Sequence, residues 1–244
     1  MKRNLTVSPQ NNQKQNRPIF FFIMRKIILI SVILSFVLAS DVLAHQPRIV
    51  SGEGIIQISS PEISQAFYGE LKGKPAHFEI NSDKPFKFYV GLLVPDLPNI
   101  KKDFSARVFS EREEGKEMLL LNGKSYNWTY FYEEFAGDAY YKGPEARADL
   151  EKGKYIIEVF NENNLGKYVL AVGEKEQFPV NETFNTLKVL PKLKKDFFEK
   201  SPLSAFFNKI GLYIFLPLII LLVILIFLVL LIKYKRKNKK KVVI

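Results

Sequence analysis

Two patterns of apolar and polar positions divide this chain. Between residues 54 and 172 the apolar residues come in short runs, many alternating with polar ones, and each run is closed by Gly, Pro, Asn or Asp. From Ile210 to Ile232 there are instead 23 successive residues without a charge. Period-two alternation bounded by turn residues predicts half-buried strands. Strands are predicted over Gly54–Ser59, Ala76–Ile80, Phe86–Val94, Ser105–Phe109, Met118–Leu121, Tyr126–Phe131, Lys154–Phe160 and Lys167–Val172. Their Val, Ile, Phe and Tyr content suits a pleated surface. Within one of them Tyr155, Ile157 and Val159 fall on one face, and Ile156, Glu158 and Phe160 on the other. Asn161–Gly166 then reads as the loop of a hairpin returning through Tyr168, Leu170 and Val172. No strongly amphipathic helix precedes residue 180. The fold class predicted for residues 45–180 is all-β, an antiparallel β-sandwich of jelly-roll-like build.

The uncharged run at 210–232 would reach about 34 Å as a helix, against roughly 30 Å for a bilayer core. It therefore predicts a C-terminal transmembrane helix. Residues 233–244 follow as a basic tail carrying Lys233, Lys235, Arg236, Lys237, Lys239, Lys240 and Lys241. Such a cluster marks the cytoplasmic side and meets anionic headgroups at about 1 kcal/mol per nearby cation. Pro217 lies within the run, which has no buried charge to suggest transport. Between the sandwich and the run, residues 181–209 read as an amphipathic juxtamembrane connector. Asn181 or Thr183 is a candidate cap, and Phe184, Leu187, Val189 and Leu190 precede an interruption at Pro191. Phe197, Phe198, Leu203, Phe206 and Phe207 follow with Lys200 and Lys209 among them, a composition suited to the outer membrane surface or to a loose stalk.

The other end adds an export signal. Met24-Arg25-Lys26 is a positive start, Ile27–Ala39 an apolar segment of 13 residues, and Val42-Leu43-Ala44 a cleavage pattern. Residues 1–44 are accordingly an N-terminal extension and signal peptide, with Met24 an alternative start. An uncleaved first membrane helix is the other reading. The predicted product is a single-pass protein of the cell membrane with its N-terminal domain extracytoplasmic and its C-terminus cytoplasmic.

Charge and cysteine content sharpen this. The whole chain is +11, yet setting aside 13 basic residues at the two ends and Asp41 leaves 23 basic and 24 acidic residues. The excess charge concerns membrane topology, and nucleic acid is not an expected partner. There is no Cys, so the exported domain is held by its core alone, without thiol catalysis or Cys-based zinc. No nucleophile elbow, phosphate loop or dinucleotide fingerprint is present.

Three stretches resemble exported bacterial β-sandwich domains of the pre-peptidase C-terminal type. Pro61-Glu-Ile-Ser-Gln-Ala-Phe-Tyr-Gly-Glu-Leu-Lys-Gly73 with His77-Phe-Glu-Ile80 resembles the opening pair. Phe86-Lys-Phe-Tyr-Val-Gly-Leu-Leu-Val-Pro95 resembles the central strand. Leu150-Glu-Lys-Gly-Lys-Tyr-Ile-Ile-Glu-Val159 with Gly166-Lys-Tyr-Val-Leu-Ala-Val172 resembles the closing hairpin, where Gly-x-Tyr begins each strand. The resemblance implies a sandwich that binds or stabilises something, and it carries over no catalytic residue.

Three constellations could carry chemistry. Tyr126, Trp128 and Tyr130 share one face if their segment is a strand, and exposed aromatics stack on sugars or grip a partner. The alternative is packing in the core. Glu133, Glu134, Asp138, Glu145 and Asp149 surround that segment, but lack the spacing of a calcium loop and read as a solvated turn. His45 becomes the first residue if cleavage follows Ala44. Its amino group and imidazole, with His77, offer three nitrogens suited to copper. This resembles the copper brace of exported copper-handling sandwiches and copper-dependent polysaccharide monooxygenases.

The expected function is a non-catalytic binding or structural protein of the cell envelope. Its partners are the lipid bilayer and an envelope protein or glycan, and no cofactor is expected. A copper-dependent domain using His45 and His77, and a small accessory subunit of a membrane complex, are the alternatives.

Overall fold

The computed structural model describes residues 25–26, 45–50, 54–111, 116–177 and 179–241, with side chains omitted at 180, 213, 214, 217 and 234–241. The expected signal segment, its cleavage site and the start at Met24 lie outside them, as do the side chains of Lys235, Arg236, Lys237, Lys239, Lys240 and Lys241.

The described residues form eleven strands: β1 (Gln46–Ile49), β2 (Ile55–Ile58), β3 (Gln65–Lys72), β4 (Ala76–Ser82), β5 (Phe86–Pro95), β6 (Ser105–Ser110), β7 (Glu117–Leu121), β8 (Thr129–Glu133), β9 (Asp138–Leu150), β10 (Gly153–Phe160) and β11 (Leu165–Val172). They make a six-stranded sheet in the order β1-β3-β11-β5-β9-β8 and a five-stranded sheet in the order β2-β4-β10-β6-β7. Pairing is antiparallel except at two edges, where β1 runs parallel to β3 and β2 parallel to β4. This is the expected all-β two-sheet architecture. The predicted hairpin Lys154–Val172 exists in sequence, but β10 and β11 enter different sheets, so the connection at 161–164 crosses the sandwich.

The inward faces supply one large core. Phe67, Leu71, Phe88, Val90, Leu92, Tyr168 and Leu170 from the six-stranded sheet meet Phe78, Ile80, Val108, Ile157 and Val159 from the other. Aromatic pairs such as Phe67–Phe78, with centroids 5.4 Å apart and edge to face, bridge the two sheets.

Three strands escaped the alternation rule. The longest, β9, carries Gly143-Pro144 at its middle, which argues against a central strand. The structure absorbs the proline in a bulge: Gly91 pairs with Glu145 and Leu93 with Lys142, so two residues of β9 oppose one of β5. Pro144 needs no ladder donor there. β1 and β3 escaped because of Pro47 and of Gly69 within them.

The connector is the main difference from expectation. It folds as helix α1 (Val180–Lys192), a π turn at Leu193–Phe197 and a 3-10 turn at Pro202–Phe206. No side chain caps α1; its N-cap is Pro179. The helix passes through Pro191, which has no N–H to donate, and widens into the π turn two residues later. Leu193, Phe197 and Phe198 then pack on Ala66, Val169 and Tyr140, with Tyr68 and Leu93 beside them. These strand positions have the parity opposite to Phe67, Leu92 and Leu170, so they form the outer face of the six-stranded sheet. Phe197 and Phe198, expected at a membrane surface, thus make a second, smaller core on the sandwich. Tyr68, Phe197, Phe198 and Tyr140 join edge to face at 5.1–5.4 Å between successive centroids.

The chain divides into two compact units, and everything above belongs to the one spanning Val42–Leu212. Helix α2 (Lys209–Lys241, 33 residues) begins in that unit and from 213 onward belongs to the other, which also holds residues 25–26. Among the described residues no helix is long and apolar enough to cross a membrane. The sequence of α2 is uncharged from Ile210 to Ile232. The span expected there rests on the sequence.

Candidate functional site

The β8–β9 hairpin gathers most of the unusual features. Its turn is built by Glu133, whose carboxylate accepts the N–H groups of Phe135 (2.8 Å) and Ala136 (2.7 Å). Gly137 has φ of 73°, a conformation that favours glycine. Asp138 follows at 2% exposure and is not the solvated turn residue expected from sequence.

Asp138 sits beneath the connector. Lys194, itself 1% exposed, donates to Asp138 Oδ2 at 2.6 Å and to the Ala136 carbonyl at 2.7 Å. Lys200 donates to Asp138 Oδ1 at 3.0 Å and to the Gly137 carbonyl at 3.3 Å. Asn208 Nδ2 donates to the Ala136 carbonyl at 2.7 Å, and the backbone N–H of Ile210 to the Phe135 carbonyl at 3.3 Å. Lys209 pairs with Glu134. Each turn residue from Glu134 to Asp138 is thereby fastened to the connector or to the first residues of α2.

Burial sets the electrostatics. It pulls the Lys194 ammonium below the ordinary lysine value, with Asp138 opposing. It pushes Glu133 up, against the two backbone N–H groups that favour its charged form. The hydroxyls of Tyr68 and Tyr140 lie 3.1 Å apart in the second core, and burial raises both above the ordinary tyrosine range. Asp138 serves both cations and every member of the cluster is engaged, which describes a structural clasp rather than a group poised for proton transfer.

Outside the clasp lies an aromatic edge. β8 borders the six-stranded sheet, and Tyr130 (61% exposed), Phe131 and Tyr132 (52%) follow one another along it. Tyr130 packs edge to face on Tyr141 at 6.1 Å between centroids, and the ammonium of Lys142 lies 5.4 Å from the Phe131 ring. β8 has no Pro or Lys of the kind that blunts an edge. At its lower end a groove of about 480 Å³ is lined by Tyr132, Glu134, Lys200, Phe207, Asn208 and Lys209 among others.

The expected shared face of Tyr126, Trp128 and Tyr130 is not formed. Strand pairing begins only at Thr129, so alternation does not extend back to Trp128. Trp128, at 9% exposure, turns into the core and donates its indole N–H to the Gly123 carbonyl at 2.8 Å. It lies against the bulge at Gly143, where an added Cβ would come within 2.5 Å of the ring. Tyr126 and Tyr130 are exposed. Of the acidic residues, Glu145 accepts from Tyr89 and Arg147, each at 3.0 Å.

The two histidines stand on different sheets. His45 precedes β1, hydrogen-bonds Ser64 through Nδ1 and has a lowered pKa through burial, with Lys142 adding to it. His77 is on β4, its Nε2 3.5 Å from Glu158. Among the described residues no group of three or more His, Asp or Glu could hold a metal ion.

The clasp was not read from the sequence, although Leu190, Lys194 and Phe198 repeat at i, i+4, i+8 on an apolar stripe. A lysine on such a stripe signals a buried partner.

No protein-family model and no curated protein matches the chain. Among solved structures, the pre-peptidase C-terminal domain of a Bacillus anthracis collagenase aligns with 51% of this chain and 97% of its own, at 14% identity and TM-score 0.32. A β-glucosidase from Paenibacillus barengoltzii aligns over 53% of this chain and 13% of its own, at 12% identity and TM-score 0.24.

Proposed function

We propose that this is a membrane-anchored, extracytoplasmic, non-catalytic binding protein of the cell envelope, displaying its sandwich on α2. The observation that carries the reading is the uncharged Ile210–Ile232 run within a helix of 33 residues, followed by seven Lys or Arg from Lys233 to Lys241. Two features support a binding role without catalysis. The Asp138–Lys194 pair, both buried, is saturated by its own hydrogen bonds, and three successive exposed aromatics, Tyr130, Phe131 and Tyr132, lie along one strand edge. Aromatic rings of this kind grip a glycan or an envelope protein by burying area at low entropic cost. Trp128 is replaced in this role by Tyr130 and Tyr132. The clasp keeps the edge in fixed relation to the start of α2.

The test has two arms. Full-length protein is washed from membranes with alkaline carbonate, and retention is expected; release into the supernatant refutes the anchor. Sedimentation with insoluble cell-wall glycan, and photocrosslinking from position 130 in intact envelopes, then probe the edge. Binding by either route that disappears in Tyr130→Ala/Tyr132→Ala, with native Trp128 emission kept, is the expected result. Binding in both assays indifferent to the two tyrosines refutes the assigned surface.

A further inference from the structure

Phe207 is 84% exposed, more than any other large apolar side chain among the described residues, and Leu203 is 65% exposed. Of the other connector aromatics, Phe197 and Phe198 belong to the second core and Phe206 is half-buried, while Phe184 on α1 is 62% exposed. Leu203 lies in the 3-10 turn at Pro202–Phe206, and Phe207, four residues on, follows the turn directly. The turn is anchored from below by Ala205, which is fully buried, and from behind by Asn208, whose Nδ2 donates to the carbonyls of Ser204 (3.2 Å), Ala205 (3.1 Å) and Ala136 (2.7 Å). A rigid support thus holds two apolar side chains in water, at a cost in free energy unless something covers them.

Three observations identify the cover. Phe207 stands three residues before Ile210, where the uncharged run begins, so whatever receives that run meets Phe207 first. Tyr132 and Phe207 line the same groove as Lys200 and Lys209, whose side chains are 41% and 51% exposed. Aromatic rings with flanking long cations are the composition of the water–lipid boundary, where rings sit at headgroup level and ammonium groups reach the phosphates. Exposed charges from Lys192 to Lys209 are Lys192, Lys195, Lys200 and Lys209 against Asp196 and Glu199, an excess of positive charge in the segment that leads into the run.

We infer that Leu203 and Phe207 insert into the headgroup layer of the bilayer that holds α2, with Tyr132 at its surface and Lys200 and Lys209 at the level of the lipid phosphates. This rests on the anchored reading above. The occupant is phospholipid, and the turn is a second membrane contact in addition to the span. The aromatic edge of β8 is thereby held close to the lipid surface.

The absence of cysteine makes the test direct. Full-length single-cysteine variants Leu203→Cys, Phe207→Cys, Leu222→Cys and Leu120→Cys are labelled with an environment-sensitive fluorophore and reconstituted into phosphatidylcholine–phosphatidylglycerol vesicles. Leu222 lies in α2 and Leu120 on β7, so they serve as lipid and water references. Spin-labelled lipids carrying the quencher at the headgroup or deep in the acyl chain are compared. The expected result is loss of emission at 203 and 207 by the shallow quencher, loss at 222 by the deep one, and none at 120. Loss at 222 with 203 and 207 behaving like 120 overturns the inference and leaves the anchor standing. No loss at 222 removes the anchor and the inference together. Folding of each variant is read from Trp128 emission before labelling.

Discussion

Replacing Asp138 by Asn removes the carboxylate that holds both Lys194 and Lys200 while keeping the shape of the turn. Lys200 is 41% exposed and recovers its loss in water. Lys194 cannot: at 1% exposure it is left with neutral acceptors, the Ala136 carbonyl at 2.7 Å and the amide oxygen of the new side chain, and no counter-charge. Breaking a buried pair by removing one member costs about 3–5 kcal/mol. A second bound agrees. Lys194 escapes the uncompensated charge by losing its proton, and deprotonating an ordinary lysine at pH 7 costs about 4–5 kcal/mol at 1.36 kcal/mol per unit. With a urea dependence of about 2 kcal/mol/M, the midpoint falls by about 1.5–2.5 M. The assay is urea unfolding of the full chain in mild detergent, followed by the emission of Trp128, the sole tryptophan, which packs on the neighbouring bulge of β9. Asp138→Asn combined with Lys194→Met removes both charges, and such replacement of a buried pair is close to neutral. The double variant is expected to regain most of the lost midpoint. A single variant within about 0.3 M of the parent, or a double variant no better than the single, refutes the account of the clasp.

Burial lowers the Lys194 pKa, so between that lowered value and the ordinary 10.5 the unfolded lysine holds a proton that the folded one has released, and stability rises with pH. The parent should therefore gain in urea midpoint over Lys194→Met as pH climbs toward 10.5, and a flat or falling difference contradicts the assigned shift. Gly143→Ala places a Cβ within 2.5 Å of the Trp128 ring and should cost about 1–3 kcal/mol in the same unfolding assay, with a shifted Trp128 emission. The Tyr168 hydroxyl is buried without a hydrogen-bond partner among the described residues, so Tyr168→Phe should raise stability by about 1 kcal/mol; a loss of that size would reveal an unseen partner.

The sequence by itself determined the strands whose one face is buried and whose ends are marked. Lys154–Phe160 and Ser105–Phe109 appear as β10 and β6, and in β10 Tyr155, Ile157 and Val159 take the expected common face. It also determined the helical run from residue 210, because 23 uncharged residues leave few other local conformations that satisfy their backbone. Tertiary structure decided what covers what. Tyr168–Val172 and Val90–Pro95 are nearly continuous apolar runs, which means both faces are covered, yet nothing local says by which segment. The answer, the connector at 193–198, lies over twenty residues away from β11 and nearly a hundred from β5. Trp128 went inward because pairing with β9 starts one residue later and a bulge left room over Gly143, a register fact invisible to alternation. The clasp is the same case in electrostatic form. Asp138, Lys194 and Lys200 are ordinary surface residues by type, and only the fold that brings 138 under 194–200 removes their water and makes them a pair.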